Sequence, residues 1–153
     1  VCGVEDQVSV AEDEAQLCDP AQTVDFVARS GVDLFAPAIG TAHGVYKTEN
    51  PKLDFERFDK INQLLRGKGL RVPLVVHGGT GLKPEVVHKL VALGGAKYNV
   101  STDLKYALID ATFNYISSHR DEYNPGRVDK AVRKAIMERV WYWMGLLGCE
   151  GKA

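Results

Sequence analysis

At 153 residues, 45% hydrophobic, 25% charged and with a formal net charge of −1, the chain has the composition of an ordinary soluble globular protein. No apolar run approaches the ~18 residues of a membrane span, the N-terminus lacks the charged and apolar regions of a signal peptide, and no basic stripe offers nucleic acid a footprint. Cys2, Cys18 and Cys149 are odd in number and widely spaced, which excludes a zinc-ribbon pattern and reads as three free thiols in a reducing, cytoplasmic compartment.

Taken in order, residues 1–18 are acidic and irregular, with Glu5, Asp6, Glu12, Asp13 and Glu14, and read as a surface loop. Asp19-Pro20 supplies an N-cap and a first-turn proline. Val24, Phe26, Val27 and Ala28 then form the apolar side of a helix that stops at Gly31. A strand is expected over Leu34 to Ile39, where Pro37, which donates no ladder hydrogen bond, marks a strand end or bulge. After His43-Gly44 a polar loop covers 46–52. Leu53-Asp54 leads a helix in which Phe55, Phe58, Ile61, Leu64 and Leu65 recur every three or four positions; Gly67 and Gly69 end it.

The run Leu74-Val75-Val76, opened by Pro73, suits a strand buried on both faces of a parallel sheet. Pro84 opens a helix to Leu93 with Val86, Val87, Leu90 and Val91 inward, closed by Gly94-Gly95. A third strand is expected over Ala96 to Val100 and a helix over Leu104 to His119. Asn124-Pro125-Gly126 breaks that helix, and a last one runs from about Val128 to Leu147. Its Val132, Ile136, Val140, Trp143, Met144 and Leu147 form one stripe, read as core packing. Residues 148–153 are a tail expected to fray.

Alternating strands and helices imply a parallel sheet with helices outside it. The chemically promising residues all follow strands. They lie in I-G-T-A-H-G-V-Y-K (39–47), V-V-H-G-G-T-G (75–81) and Y-N-V-S-T-D-L (98–104). Two His-Gly pairs at the ends of successive strands are hard to explain by packing. The Gly-rich turn before a helix can also offer bare backbone N–H groups to an anion. In a (β/α)8 barrel such positions converge on one rim, where the last two strands often build a phosphate site.

These three motifs, in register, resemble the last three strand ends of the class II, zinc-dependent ketose-bisphosphate aldolases, which include the fructose- and tagatose-bisphosphate enzymes. Gly3-Val4-Glu5-Asp6 is similar to the loop after that family's fifth strand, and Gly151-Lys152-Ala153 to its common chain end. The resemblance implies that His43 and His77 are Zn2+ ligands and that Gly44 contacts substrate. It also implies that Gly78, Gly79 and Thr80 form a phosphate turn, with threonine for the family's serine. Asn99, Val100, Ser101 and Thr102 would hold the dihydroxyacetone-phosphate end, and Lys47 would lie near the phosphate. The reaction implied is reversible aldol cleavage of a phosphorylated ketose, such as fructose 1,6-bisphosphate. The products would be dihydroxyacetone phosphate and an aldehyde such as glyceraldehyde 3-phosphate, formed through a zinc-stabilised enediolate. A metal acts there as a Lewis acid, with three protein ligands and an open position. The same resemblance implies a homo-oligomer, dimer or tetramer.

A (β/α)8 barrel needs about 250 residues, so this α/β chain is expected to be the C-terminal part of one. It would comprise the last three strand-helix units and a terminal helix of a single aldolase-type domain. The family's Asp-His pair, carrying the third zinc ligand and an acid/base carboxylate, does not occur in the sequence. Its fifth-strand glutamate would precede Val1. Catalytic residues are therefore expected upstream of Val1, and the N-terminal part of the barrel becomes a required partner. His88 and His119, placed mid-helix and at a helix end, read as exposed. A non-catalytic half-barrel that binds sugar phosphate is the alternative. A metal-free triose-phosphate barrel is disfavoured by the paired histidines, which a phosphate site does not need.

Overall fold

The computed structural model describes residues 17–41 and 51–152, together with the backbone of two short strands, β1 (Val4–Glu5) and β2 (Val8–Ser9). Two compact units divide the chain at Val100/Ser101.

In the first unit, β1 and β2 pair antiparallel, Val4 opposite Ser9 and Glu5 opposite Val8, within the stretch expected as loop. Helix α1 (Pro20–Ser30) begins where its caps direct. Asp19 accepts the Gln22 N–H at 2.8 Å and Pro20 takes the first turn. Gly31 ends the helix in the left-handed region at φ 66°, its N–H bonded to the Val27 carbonyl. Helix α2 (Phe55–Gly67) is capped by Asp54, which accepts from the Arg57 backbone N–H and from its Nε, both at 2.9 Å. Arg57 Nη1 also donates to the Cys18 carbonyl at 2.7 Å. Cys18 in turn bonds Ala38 twice, N–H to carbonyl and Sγ to N–H, each at 3.0 Å. Arg57 and Cys18 thus tie both helix starts to the segment at 35–39.

The sheet of this unit is parallel. Strand β3 (Leu74–Val76) pairs with β4 (Gly95–Tyr98), Leu74 opposite Gly95 and Val76 opposite Tyr98, with an irregularity after Leu74. The segment expected as the strand Leu34 to Ile39 contributes a single parallel bridge, Phe35 to Leu74. The Phe35 N–H bonds Pro73 O at 3.1 Å and its carbonyl receives the Val75 N–H at 2.8 Å. Two residues later Pro37 has no N–H to continue the ladder. Helix α3 (Pro84–Ala92) connects β3 to β4. Gly94 admits a close approach: at φ +106° an added Cβ would clash with Asn62 Nδ2, which donates to the Leu93 carbonyl at 2.8 Å. The core is built from Val27, Ile39, Phe58, Ile61, Leu65, all three β3 residues, Leu82, Val87 and Leu90. Each such side chain contributes on the order of 1.5–3 kcal/mol by leaving water. Phe55, Val86 and Val91, expected inward, are half-buried, and Leu64 and Phe26 are exposed.

The second unit is a pair of helices, α4 (Thr102–Ser118) and α5 (Pro125–Leu146). They run antiparallel, since Asp103 near the start of α4 meets Arg139 and Trp143 near the end of α5. Asp103 Oδ2 accepts from Arg139 Nε at 2.9 Å, from Arg139 Nη2 and from Trp143 Nε1 at 2.7 Å. Asn124-Pro125-Gly126 does more than break α4. Asn124 caps α5 by accepting the Gly126 N–H at 2.9 Å, and Pro125 is its first residue, so the helix starts before Val128. Of the stripe read as core, Trp143 is buried, Val132, Ile136 and Leu147 are half-buried, and Val140 and Met144 are exposed. Among the described residues no helix is long and apolar enough to cross a membrane.

Candidate functional site

The site is assembled where β3 and β4 end. Val76, the last residue of β3, is buried, and its carbonyl accepts the Asn99 N–H at 3.0 Å. That bond extends the parallel ladder one step beyond β4 and sets Asn99 beside His77. The half-buried His77 then receives the Asn99 amide: Nδ2 lies 3.0 Å from His77 Nε2. On its other side Asn99 Oδ1 is bonded by Lys97 Nζ. Tyr98, between them, turns the opposite way and donates its hydroxyl to the Val87 carbonyl at 3.1 Å, fixing β4 against α3. Burial raises the Tyr98 pKa well above its ordinary value.

Gly78 follows His77 at φ 64°, a left-handed conformation that suits glycine. Gly78 and Gly79 are buried and Thr80 half-buried. The turn closes with the Leu82 N–H on the Gly79 carbonyl at 3.1 Å, and α3 starts two residues on. A helix with Glu85 in its first turn and Lys89 in its last thus follows the Gly-Gly-Thr turn directly. Val100 is half-buried at the end of the first unit. Ser101 and Thr102 open the second unit. Ser101 is exposed at the N-cap of α4, where its carbonyl accepts the N–H groups of Leu104 and Lys105 at 3.0 Å.

The structure therefore brings together His77, Asn99 and the turn that begins at Gly78. His43, Gly44 and Lys47 lie outside the described residues. His88 is exposed on α3; His119, exposed at the C-cap of α4, stacks on Tyr115 with ring centroids 4.3 Å apart. Among the described residues no three His, Cys, Asp or Glu side chains gather to hold a metal. An imidazole at a strand end suits zinc as a donor, so His77 fits one position of such a site, with its Nε2 at present bonded to Asn99. Two residues with structural ties were passed over in the sequence, Lys97 and Asp103. Lys97 was discoverable, because it stands two positions before Asn99, which extends the ladder of β4, and so shares its face. A groove of about 1060 Å³ in the second unit is lined by Tyr115, Met137 and Trp141 with Lys130 and Arg133, none of them a site residue.

Residues 1–152 match the family described as fructose-bisphosphate aldolase class-II. The chain belongs to this family. The solved structure of a putative fructose-1,6-biphosphate aldolase from Coccidioides immitis is 31% identical and superposes with a TM-score of 0.78, covering 99% of this chain and 50% of its own. The YdjI aldolase from Escherichia coli K12 is 32% identical, with a TM-score of 0.71 over 89% of this chain and 46% of its own. A fructose-bisphosphate aldolase from Campylobacter jejuni, 20% identical with a TM-score of 0.73, shares the fold over 87% of this chain and 45% of its own. The chain spans about half the length of each.

Proposed function

We propose that this chain is the C-terminal part of a (β/α)8-barrel class II ketose-bisphosphate aldolase that cleaves fructose 1,6-bisphosphate or a related ketose. It would act only with strands that the chain itself does not contain. The observation that carries the reading is the pairing of His77 with Asn99 at adjacent parallel strand ends, beside the Gly78-Gly79-Thr80 turn. Strand ends are where barrel enzymes place their chemistry.

In this reading the backbone N–H groups of Gly78 and Gly79 and the Thr80 hydroxyl bind a phosphate of the substrate. Glycine lets the main chain approach it closely. Asn99 offers an amide donor to the dihydroxyacetone-phosphate end, and Val100, Ser101 and Thr102 continue that run, with Gly44 and Lys47 further substrate contacts. His77 and His43 are the residues of this chain that would hold zinc. When bound, zinc supplies a Lewis acid that polarises the substrate carbonyl. Acid/base carboxylates and a third ligand come from the other half of the barrel, and the assembled enzyme is a homo-oligomer.

The test is to purify the chain alone, add zinc, and assay cleavage of fructose and tagatose bisphosphates. The half of the Coccidioides immitis protein that this chain does not match is then added as a separate polypeptide. Activity confined to the mixture is the expected outcome. Chelator-sensitive activity in the lone chain would show that its own residues complete the ligand set and supply the acid.

A further inference from the structure

We infer that Lys97 marks where the rest of the barrel must bring a carboxylate. Its ammonium lies on the sheet face that assembly would enclose, and it requires there an Asp or Glu from strands outside this chain. The inference rests on the barrel reading above and adds to it the chemistry of the partner surface.

The two faces of the sheet can be told apart. Leu74 lies opposite Gly95, Val75 opposite Lys97 and Val76 opposite Tyr98, the irregularity after Leu74 taking up the extra residue Ala96. Side chains alternate along each strand, so Leu74, Val76, Gly95 and Tyr98 share one face. That face is the one α3 covers: Tyr98 donates to the Val87 carbonyl, and a Cβ added at Gly95 would press on the Leu90 carbonyl and on Val76. Val75 and Lys97 lie on the other face. The bonds of Asn99 to both His77 and Lys97 place those two on it as well.

In a (β/α)8 barrel the helices stand outside, so the face turned away from α3 becomes the lumen, which layers of side chains fill. Lys97 is exposed in this chain. It stands two residues before Asn99, about 6–7 Å below the strand ends that carry the proposed substrate contacts. Its place is therefore in the filling of the barrel rather than at the rim. An ammonium closed off from water is tolerated when it is paired with opposite charge and hydrogen-bonded. It has three donors. The Asn99 amide oxygen takes one of them and is neutral. Among the described residues the ion pairs all run between other side chains, so the countercharge has to come with the strands that close the lumen.

The experiment uses the whole chain and the half of the Coccidioides immitis protein that it does not match, first as separate polypeptides and then with that half joined to Val1. No substrate is present. In the lone chain Lys97→Met should change the unfolding equilibrium by less than about threefold, as exposed positions do. In the mixture it should raise the Kd between the polypeptides at least about thirtyfold, the usual loss when one member of an enclosed charge pair is removed. In the joined chain it should raise the unfolding constant by a similar factor. Lys97→Glu should lose more than Lys97→Met, because carboxylate then meets carboxylate. Each Asp and Glu of the added half is changed singly to its amide. One of these changes should reproduce the loss and add nothing to Lys97→Met, the mark of a shared pair. A lumen that is simply apolar would accept Met, so an unchanged or tighter complex in Lys97→Met overturns the proposal. So does a loss that no single carboxylate shares, or one that appears only when inorganic phosphate is added. Cleavage is assayed separately. Charge coupling without cleavage keeps the pair and sinks the aldolase reading; cleavage without coupling does the reverse. Halves that combine in neither form sink both.

Discussion

The two units treat apolar side chains in opposite ways. The first builds a closed core, though Phe26 and Leu64 stay exposed: Phe58, Ile61, Leu74, Val87 and Leu90 are fully shielded from water. Layering explains this, because β3 is buried along its whole length and helices of the same unit supply side chains to cover it. The second unit puts them outside. Phe113 is 69% exposed, Trp141 72% and Ile109 61%, α4 has no buried residue, and Trp143 is the one buried residue of α5. Two helices can cover one stripe of each other and no more. The contrast shows where each unit gets its stability: the first largely from its own packing, the second from the α4–α5 seam and from polar ties such as Asp103.

The sharpest way to break this comparison is a pair of truncations. Phe58→Ala should cost about 3–5 kcal/mol, the usual loss for a fully buried phenylalanine. Phe113→Ala should change stability by less than about 0.5 kcal/mol, as surface changes do. Denaturant titration of the lone chain reads both. A large loss at Phe113 would mean that its face is already covered, by self-association of the chain. Next comes Asp103→Ala, which strips the carboxylate that Arg139 and Trp143 share. With the Arg139 side chain 39% exposed, solvent screens part of that pair, and a loss of about 1–2 kcal/mol is expected. Both tryptophans of the sequence lie in this unit, so thermal melting followed by tryptophan emission reports it directly. The same substitution should leave amide protection of Leu74 and Val75 unchanged if the first unit is stabilised by its own core.

Function supplies the third contrast. Gly79→Val places a β-branched side chain in the buried turn proposed to hold phosphate. In the reconstituted mixture it should raise KM for the bisphosphate at least about tenfold, as loss of a charge-assisted hydrogen bond would. Ser101→Ala removes an exposed hydroxyl and should raise KM less. Equal effects would mean that both runs contribute alike to phosphate binding.

How much of this was legible in the sequence depends on whether the signal is local. Helix α1 could be read from Asp19, Pro20 and Gly31 because capping is settled by adjacent residues. The buried β3 could be read from Leu74-Val75-Val76 because a strand covered on both faces has no polar side. The stripe on α5 was legible as a face, but periodicity shows which residues share a face and not what covers it; Val140 and Met144 are accordingly exposed. The strand expected at Leu34 to Ile39 shrank to the bridge at Phe35 because pairing depends on a partner distant in sequence. Arg57 and Cys18, 39 positions apart, gave no local sign of their bond. Of the site, the motifs placed His77 and Asn99 after successive strands, but their meeting needed the parallel register, and Lys97 became visible only once Asn99 had an orientation.

The smallest effects come from pH and fall at opposite ends of the scale in the two units. Burial raises the Tyr98 pKa in the first. A raised folded pKa means that the stabilisation is complete below the ordinary tyrosine value of about 10 and is lost as pH rises toward the folded value, because the unfolded chain ionises first. Tyr98→Phe should flatten that alkaline loss while costing about 1 kcal/mol for the bond to Val87. In the second unit the Asn124 N–H, and then the Arg127 guanidinium, hold the Glu122 carboxyl below its ordinary value. Glu122 accepts from Asn124 N at 2.9 Å and from Arg127 Nη1 at 2.6 Å. A lowered folded pKa works in the other direction: the contribution is present above the ordinary glutamate value and is lost as pH falls through the folded one. Glu122→Gln should therefore remove a shallow acid limb from the tryptophan-monitored melting temperature, a signal in which Tyr98→Phe should change nothing. A Tyr98-dependent alkaline limb in the tryptophan signal would show that the two units unfold as one.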